Sequence, residues 1–150
     1  MLSDGMIRVR RVTRITSSEV EAFVRLLPQL SPRLGGITAE RAAAIVAAPC
    51  TVLFVAEVGT EIVGMLSLVW YDVPSGRKGW IEDVVVDAAV RRRGVGEALL
   101  EEALRIARCE GVERLQLTSS PSREAARALY RKLGFEEMET GVFVFKADTK

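Results

Sequence analysis

Apolar and polar residues alternate in "IRVRRV" (7–12), the period of a half-buried strand. From residue 17 the period lengthens. Val20, Phe23, Val24 and Leu27 recur at helical spacing behind Ser17 or Ser18 as N-cap, and Pro28 is expected to interfere with the run. "SPRLGG" reads as a loop. Thr38 is placed to cap a second short helix, "AERAAAIVAA", stopped by Pro49. "TVLFVAEV" (51–58) and "EIVGMLSLVWY" (61–71) flank Gly59-Thr60 as a hairpin. "DVPSGRKG" is polar and turn-rich, and "WIEDVVVD" (80–87) is a strand. Between 94 and 111, Val95, Ala98, Leu99, Ala103, Ile106 and Ala107 line one helical face. "VERLQLT" reads as a strand, and "SREAARALYRKLG" as a helix with Gly134 at C′. "FEEM" and "GVFVFK" are predicted to be two last strands.

This order predicts a mixed α/β (α+β) fold with a mostly antiparallel sheet and helices on both faces. The strand–helix–strand stretch 80–118 predicts one parallel pair with a right-handed crossover. The chain has no internal repeat, low-complexity tract or domain-scale linker. Residues 1–150 are therefore expected to form a single domain, a length that supports a real core.

Composition narrows the chemistry. A net charge of +1 gives no whole-molecule field for nucleic acid or membrane. No stretch approaches the ~18 apolar residues of a membrane span, and "MLSDGMIRVRRV" has no apolar signal-peptide core. The two cysteines, Cys50 and Cys109, form no C-x-x-C pair. Reduced thiols and a cytoplasmic location are the expectation. Histidine is absent, which removes Ser-His and Cys-His dyads and most zinc sites. No metal is expected, and proton transfer falls to carboxylates, Tyr, Lys, Cys, a terminus or water.

One segment concentrates unusual chemistry. In "VVVDAAVRRRGVGEALL" (84–100) a β-branched run leads through three arginines into Gly94-Val95-Gly96 and then a helix. A helix N-terminus presents N–H groups to an anion, and glycine lets the backbone approach it. Arg91, Arg92 and Arg93 add cations that fork onto phosphate oxygens. The arrangement suits a phosphate group, in particular a diphosphate. A bare G-x-G is a weak signal. The segment is neither a P-loop nor a full dinucleotide fingerprint.

Arg91-Arg92-Arg93-Gly94-Val95-Gly96 matches R-x-x-G-x-G, and "REAARALYRKLGFEE" follows at the right distance. With "FVAEVGTEIVGMLSL", these segments resemble the GNAT N-acetyltransferases over nearly the whole chain, most sharply over 80–137. The resemblance implies a sheet of about six to seven strands and acetyl-CoA as cosubstrate. It implies that the strand at Val84, Val85 and Val86 splays from its neighbour and pairs with the pantetheine arm. It gives the pyrophosphate to Arg91, Arg92, Arg93, Gly94, Val95, Gly96 and Glu97. Many members carry Asn seven residues before the family tyrosine. Here that residue is Arg123, which points to an altered contact with CoA, toward its phosphates. A homodimer, common in the family, is compatible with this reading. "IEDVVV" also resembles the same strand of the glucosamine-phosphate acetyltransferase branch, a match too short to fix a substrate.

An amine must be neutral to attack a thioester, and the leaving thiolate needs a proton. Glu82 and Asp83 stand side by side in an apolar strand, where alternation sends them to opposite faces. At least one is expected to be buried or to line a cleft, with a raised pKa suited to a general base acting directly or through water. Pairing to an arginine at a strand end is the simpler reading of either. Tyr130 falls at the family's thiolate-protonating tyrosine. On pattern alone it is a core residue with a wet hydroxyl. Thr118 and Ser119 finish a strand, with substrate contact as the alternative. Leu26, Leu27 and Leu30 read as core. In this fold the first two helices wall the acceptor site, and Trp70 and Tyr71 are placed to do the same.

The leading expectation is an enzyme that moves acetyl from acetyl-CoA to a primary amine of a small molecule or peptide by direct attack. A non-catalytic acyl-CoA sensor or regulatory module is the alternative. It needs the glycine turn but neither Glu82 nor Tyr130. A nucleic-acid binder using Arg10, Arg11 and the 91–93 arginines lacks both net charge and a helix-turn-helix or RNP pattern. The amine itself is not encoded in any motif.

Overall fold

The computed structural model describes residues 5–147. Strand-forming runs of Val, Ile, Leu and aromatic residues become β1 (Ile7–Arg11), β2 (Thr51–Val58), β3 (Glu61–Val73), β4 (Gly76–Val86) and β5 (Arg114–Gln116). The helices are α1 (Ser17–Leu30), α2 (Ala39–Ala47), α3 (Val95–Cys109) and α4 (Glu124–Lys132). The contacts divide into two compact units, Met1–Thr118 and Ser119–Lys150.

In the first unit the strands lie in chain order, β1-β2-β3-β4-β5. Neighbours are antiparallel except for β4 and β5, which are parallel and joined through α3. Gly59-Thr60 makes the predicted hairpin turn, with Gly59 at φ 64°. The second hairpin is tighter than the sequence suggests. "DVPSGRKG" is mostly strand, paired out to Val73 and Gly76, and only Pro74-Ser75 turns. Arg77 makes this possible by forking onto the Asp72 carboxylate at 2.7 and 2.9 Å and donating to the Glu110 carbonyl at 2.8 Å.

Helix α1 also departs from expectation. Its N-cap is Thr16, not Ser17 or Ser18. Thr16 and Glu19 form a reciprocal capping box, and the Thr16 N–H and hydroxyl both donate to the Glu19 carboxylate. Pro28 does not end the helix, which runs on to Leu30 because Leu26 is fully buried and Leu27 and Leu30 pack against the core. In α2, Thr38 caps as predicted, accepting from the Arg41 N–H at 3.1 Å.

The core lies on both faces of the sheet. Ala22, Phe23 and Leu26 of α1 pack with Leu53, Val55, Ile62, Met65 and Val85 on one face. Gly64, next to Met65, faces the opposite way. A Cβ there would sit 3.0 Å from Val95 and 3.1 Å from Leu99 of α3. The glycine therefore lets the start of α3 lie directly on the sheet.

The second unit contains α4, closed as predicted. Gly134 is left-handed at φ 99°, its N–H donates to the Arg131 carbonyl, and the Phe135 N–H donates to the Tyr130 carbonyl. The Tyr130 and Phe135 rings meet edge to face with centroids 6.0 Å apart. The two strands expected at "FEEM" and "GVFVFK" do not form, so the described residues hold five strands rather than six or seven. Glu137 is drawn instead to Arg127 and Arg131 at 2.5 and 3.2 Å. Phe143 and Phe145 are 98% and 94% exposed. An isolated strand has no ladder to satisfy its backbone, and among the described residues no strand pairs with this segment.

Candidate functional site

The parallel ladder between β4 and β5 ends at Trp80 and Gln116. β4 continues to Val86, paired with β3 through Val85–Met65 and Val86–Gly64. Beyond Trp80 the other edge of β4 therefore carries backbone N–H and C=O groups with no strand beside them among the described residues. The ladder thus stops short of Val84, Val85 and Val86, the residues expected to meet a ligand arm. Gly79 lets β4 lie close to both neighbours, since a Cβ there would lie 2.8 Å from the Val69 carbonyl oxygen of β3 and 3.1 Å from Leu115 Cδ1 of β5.

Within β4 the register slips by one residue between its pairings with Met65 and Ser67. The extra residue is accommodated at Asp83, which is left-handed at φ 51°. The bulge reverses the phase of the strand. Ile81 pairs with Leu68, in phase with Gly64 and α3, whereas Val85 pairs with Met65 in the α1-face cluster. Glu82 stands opposite Ser67, in phase with Met65.

One expectation about the carboxylates is corrected here: strict alternation does not run through Glu82 and Asp83. Of the two settings expected for at least one of them, burial or a cleft wall, burial does not hold, since both are solvent-exposed. Their carboxyls still sit against enough protein to be partly desolvated. Desolvation raises Glu82 above the ordinary carboxylate value, helped by the neighbouring Asp83 charge, and it raises Asp83 as well. Neither has an arginine partner among the described ion pairs.

β4 leads into the arginine turn through a single 3-10 turn, Ala88–Val90, anchored by buried Val90. Asp87 Oδ1 accepts from the Ala89 N–H at 3.1 Å. Arg92 (φ 68°) and Gly94 (φ 82°) are both left-handed and curl the chain into α3, with Gly94 as its N-cap. The first helical bond runs from the Ala98 N–H to the Gly94 carbonyl at 3.0 Å. A helix cannot pair its own first N–H groups, so those of Val95 and Gly96 face the turn. Val95 is buried and fixes the start of the helix, while Arg91, Arg92 and Arg93 are exposed around it. No Cβ at Gly94 would meet any atom within 4 Å. Its glycine answers to backbone conformation, not to crowding within the chain. A shallow concavity lined by Gly5, Ile7, Val58 and Arg93 touches this turn only through Arg93 and has no carboxylate in its wall.

Two residues the sequence does not flag hold the approach to the turn. Gln29 Oε1 of α1 accepts from the Ala88 N–H at 2.9 Å, and Arg25 Nε lies 3.6 Å from Asp87 Oδ2. Both are more than fifty positions away in the chain, beyond any local signal. Arg10, considered for nucleic-acid binding, is committed to the Glu57 and Glu19 carboxylates.

In the second unit, Arg123 is the N-cap residue of α4, and Ala126 and Tyr130 lie half-buried along the helix. Burial pushes the Tyr130 phenol above its ordinary value while the Arg123 charge opposes the shift. The hydroxyl is protonated at neutral pH and can donate. Thr118 is exposed, and Ser119 Oγ is buried with no hydrogen-bond partner. Strand β5 ends before both, at Gln116.

The described residues thus combine an α+β sheet, whose parallel pair ends early, with a glycine-led helix start beside it in the chain. The profile of the acetyltransferase (GNAT) family matches residues 14–135, and the chain belongs to that family. It is 38% identical over 71 residues to the mycothiol acetyltransferase of Beutenbergia cavernae, covering 47% of this chain and 24% of that protein. It is 42% identical over 62 residues to a probable glucosamine 6-phosphate N-acetyltransferase 2 of Oryza sativa subsp. japonica, covering 41% of this chain and 36% of that one. The match thus spans well under half the length of either relative. Among solved structures, one described as a transcriptional regulator from Bacillus halodurans C-125 superposes with a TM-score of 0.80 at 27% identity. That match covers 94% of this chain and 100% of the other.

Among the described residues, no helix is long and apolar enough to cross a membrane, and no group of three or more His, Cys, Asp or Glu could hold a metal.

Proposed function

We propose that the chain acts as one N-acetyltransferase domain, moving acetyl from acetyl-CoA to a primary amine by direct attack and without a metal. The observation that carries this reading is the continuous path from the unpaired edge of β4 to the Gly94 turn. An amide-bearing arm and a diphosphate, joined in one ligand, fit that path.

When bound, acetyl-CoA supplies the activated acetyl group. Backbone groups of Val84, Val85 and Val86 hold the amides of its arm as an added strand would. Val95, Gly96 and Glu97 at the start of α3, with Arg91, Arg92 and Arg93, hold the diphosphate. Arg123 adds a cation for phosphate. Glu82, with a raised pKa and a place in phase with the α1 face, takes the proton that the amine must lose, directly or through water. Asp83 is the second candidate for that role. As the amine nitrogen bonds to the acetyl carbon and the carbon–sulfur bond breaks, the Tyr130 hydroxyl gives the thiolate its proton. The names of the relatives support a small-molecule amine, with a peptide amine as the wider alternative, used in the cytoplasm by a monomer or homodimer.

Thiol release from acetyl-CoA against a broad amine library tests the proposal. Amine-dependent release is expected. Tight binding of acetyl-CoA with no release for any amine would refute catalysis and leave the sensor reading, which the likeness to a structure described as a regulator also favours.

A further inference from the structure

Beyond the residues that touch the cosubstrate, the structure assigns Gln29 and Arg25 of α1 as positioning residues that aim the diphosphate turn. The inference rests on the acetyl-CoA reading above.

The joint between β4 and the turn is Asp87-Ala88. The Asp87 N–H donates to the Val63 carbonyl at 2.8 Å and closes the β3–β4 ladder. The next N–H, that of Ala88, has no strand to meet and goes to Gln29 Oε1 at 2.9 Å. The Asp87 carboxylate serves two partners. One oxygen accepts from the Ala89 N–H, and the other lies 3.6 Å from Arg25 Nε. Arg25 Nη2 also donates to the Ile62 carbonyl of β3. One turn of α1 thus grips both the ladder and the first residues past it. Four residues after Val90 the chain reaches Gly94.

The grip sits on a weakened part of α1. Pro28 has no N–H to give Val24, so the last turn is short of a helical bond. The Gln29 amide reaches back to the Arg25 carbonyl at 3.5 Å while its oxygen holds Ala88. Movement of this turn is therefore passed to Ala88. Val84, Val85 and Val86 are held separately by β3, so the arm-binding edge does not depend on Gln29.

That separation gives the test. Gln29→Met keeps the length of the side chain and removes the acceptor. Both Gln29 and Ala88 are exposed, so water takes the freed N–H and the melting temperature should move by no more than about 2 °C. Affinity for acetyl-CoA is measured by calorimetry, and affinity for S-acetylpantetheine, which has the arm without the diphosphate, by amide NMR titration. A loss of about fivefold for acetyl-CoA, the scale of one hydrogen bond, with S-acetylpantetheine unchanged, supports the assignment. Arg25→Met should give the same selectivity. Equal losses for the two ligands, or none for either, overturn it. Wild-type protein that binds neither ligand overturns the acetyl-CoA reading itself, and this inference with it.

Discussion

Replacing Gly64 with alanine sets two effects of opposite sign against each other. A glycine in a strand gives the unfolded chain extra freedom, and removing it can stabilise by about 0.4–1 kcal/mol where the backbone and space allow. The new methyl would lie 3.0 Å from Val95 Cγ1, 3.1 Å from Leu99 Cδ1 and 3.2 Å from the Val85 carbonyl oxygen. All three must give by a few tenths of an ångström. Val95 and Leu99 are 1% and 0% exposed, so their side chains have nowhere to turn. The Val85 carbonyl belongs to the β4 backbone in the ladder. Overpacking of this kind destabilises by about 1–3 kcal/mol, and it should outweigh the entropic gain by about 1 kcal/mol or more. For a chain of this size the expected fall in melting temperature is about 2–6 °C.

The same displacement has a functional signature. The methyl pushes on Val95, the first residue of α3, and so on the turn that holds the diphosphate. Calorimetry with acetyl-CoA should show weaker binding in a protein whose circular dichroism is unchanged at 25 °C. A melting temperature equal to or above that of the wild type would refute the packing argument. A lowered melting temperature with unchanged affinity would refute the link between Gly64 and the turn.

Gly96→Asp should abolish measurable acetyl-CoA binding in a folded protein. An acidic residue in the first turn favours the helix but repels the diphosphate, and retained affinity in the titration would place the anion elsewhere. Tyr130→Phe should lower stability by no more than about 1 kcal/mol and the maximal rate by about 10² or more. A wild-type rate in steady-state kinetics would return Tyr130 to packing alone. Glu82 has a folded pKa above its unfolded value, so the folded state holds that proton more tightly and stability is lost as pH rises through the window between the two. Glu82→Gln should therefore gain on the wild type in melting temperature as pH rises from about 4 to about 7, and a difference that does not change with pH would contradict the desolvation that raises it.

What the sequence disclosed was what depends on neighbours in the chain. The Gly59-Thr60 turn, the Thr38 cap, the Gly134 stop and the glycine-led start of α3 each need only a few contiguous residues. All four are where the pattern put them. The Thr16 cap was missed by one or two positions because Thr16, Ser17 and Ser18 are all good caps. The choice was made by Glu19, three residues beyond Thr16. Pro28 misled for a different reason. The helical bond it removes is local, but the burial of Leu26 that carries the helix onward is tertiary.

The bulge at Asp83 did leave a trace. In plain alternation Ile81, Asp83 and Val85 share a face, which would set a carboxylate between two core residues. One extra residue removes the conflict by sending Ile81 toward α3 and Val85 toward α1. An acidic pair inside an apolar strand was therefore a signal of broken register before it was a signal of burial. The exposed, partly desolvated pair that results suits proton exchange with solvent better than a sealed carboxylate would. "GVFVFK" had no such internal conflict to resolve. Four consecutive apolar residues at 142–145 state a need for a partner but not a face or a register. A strand is fixed by what lies beside it, and among the described residues nothing pairs with this segment.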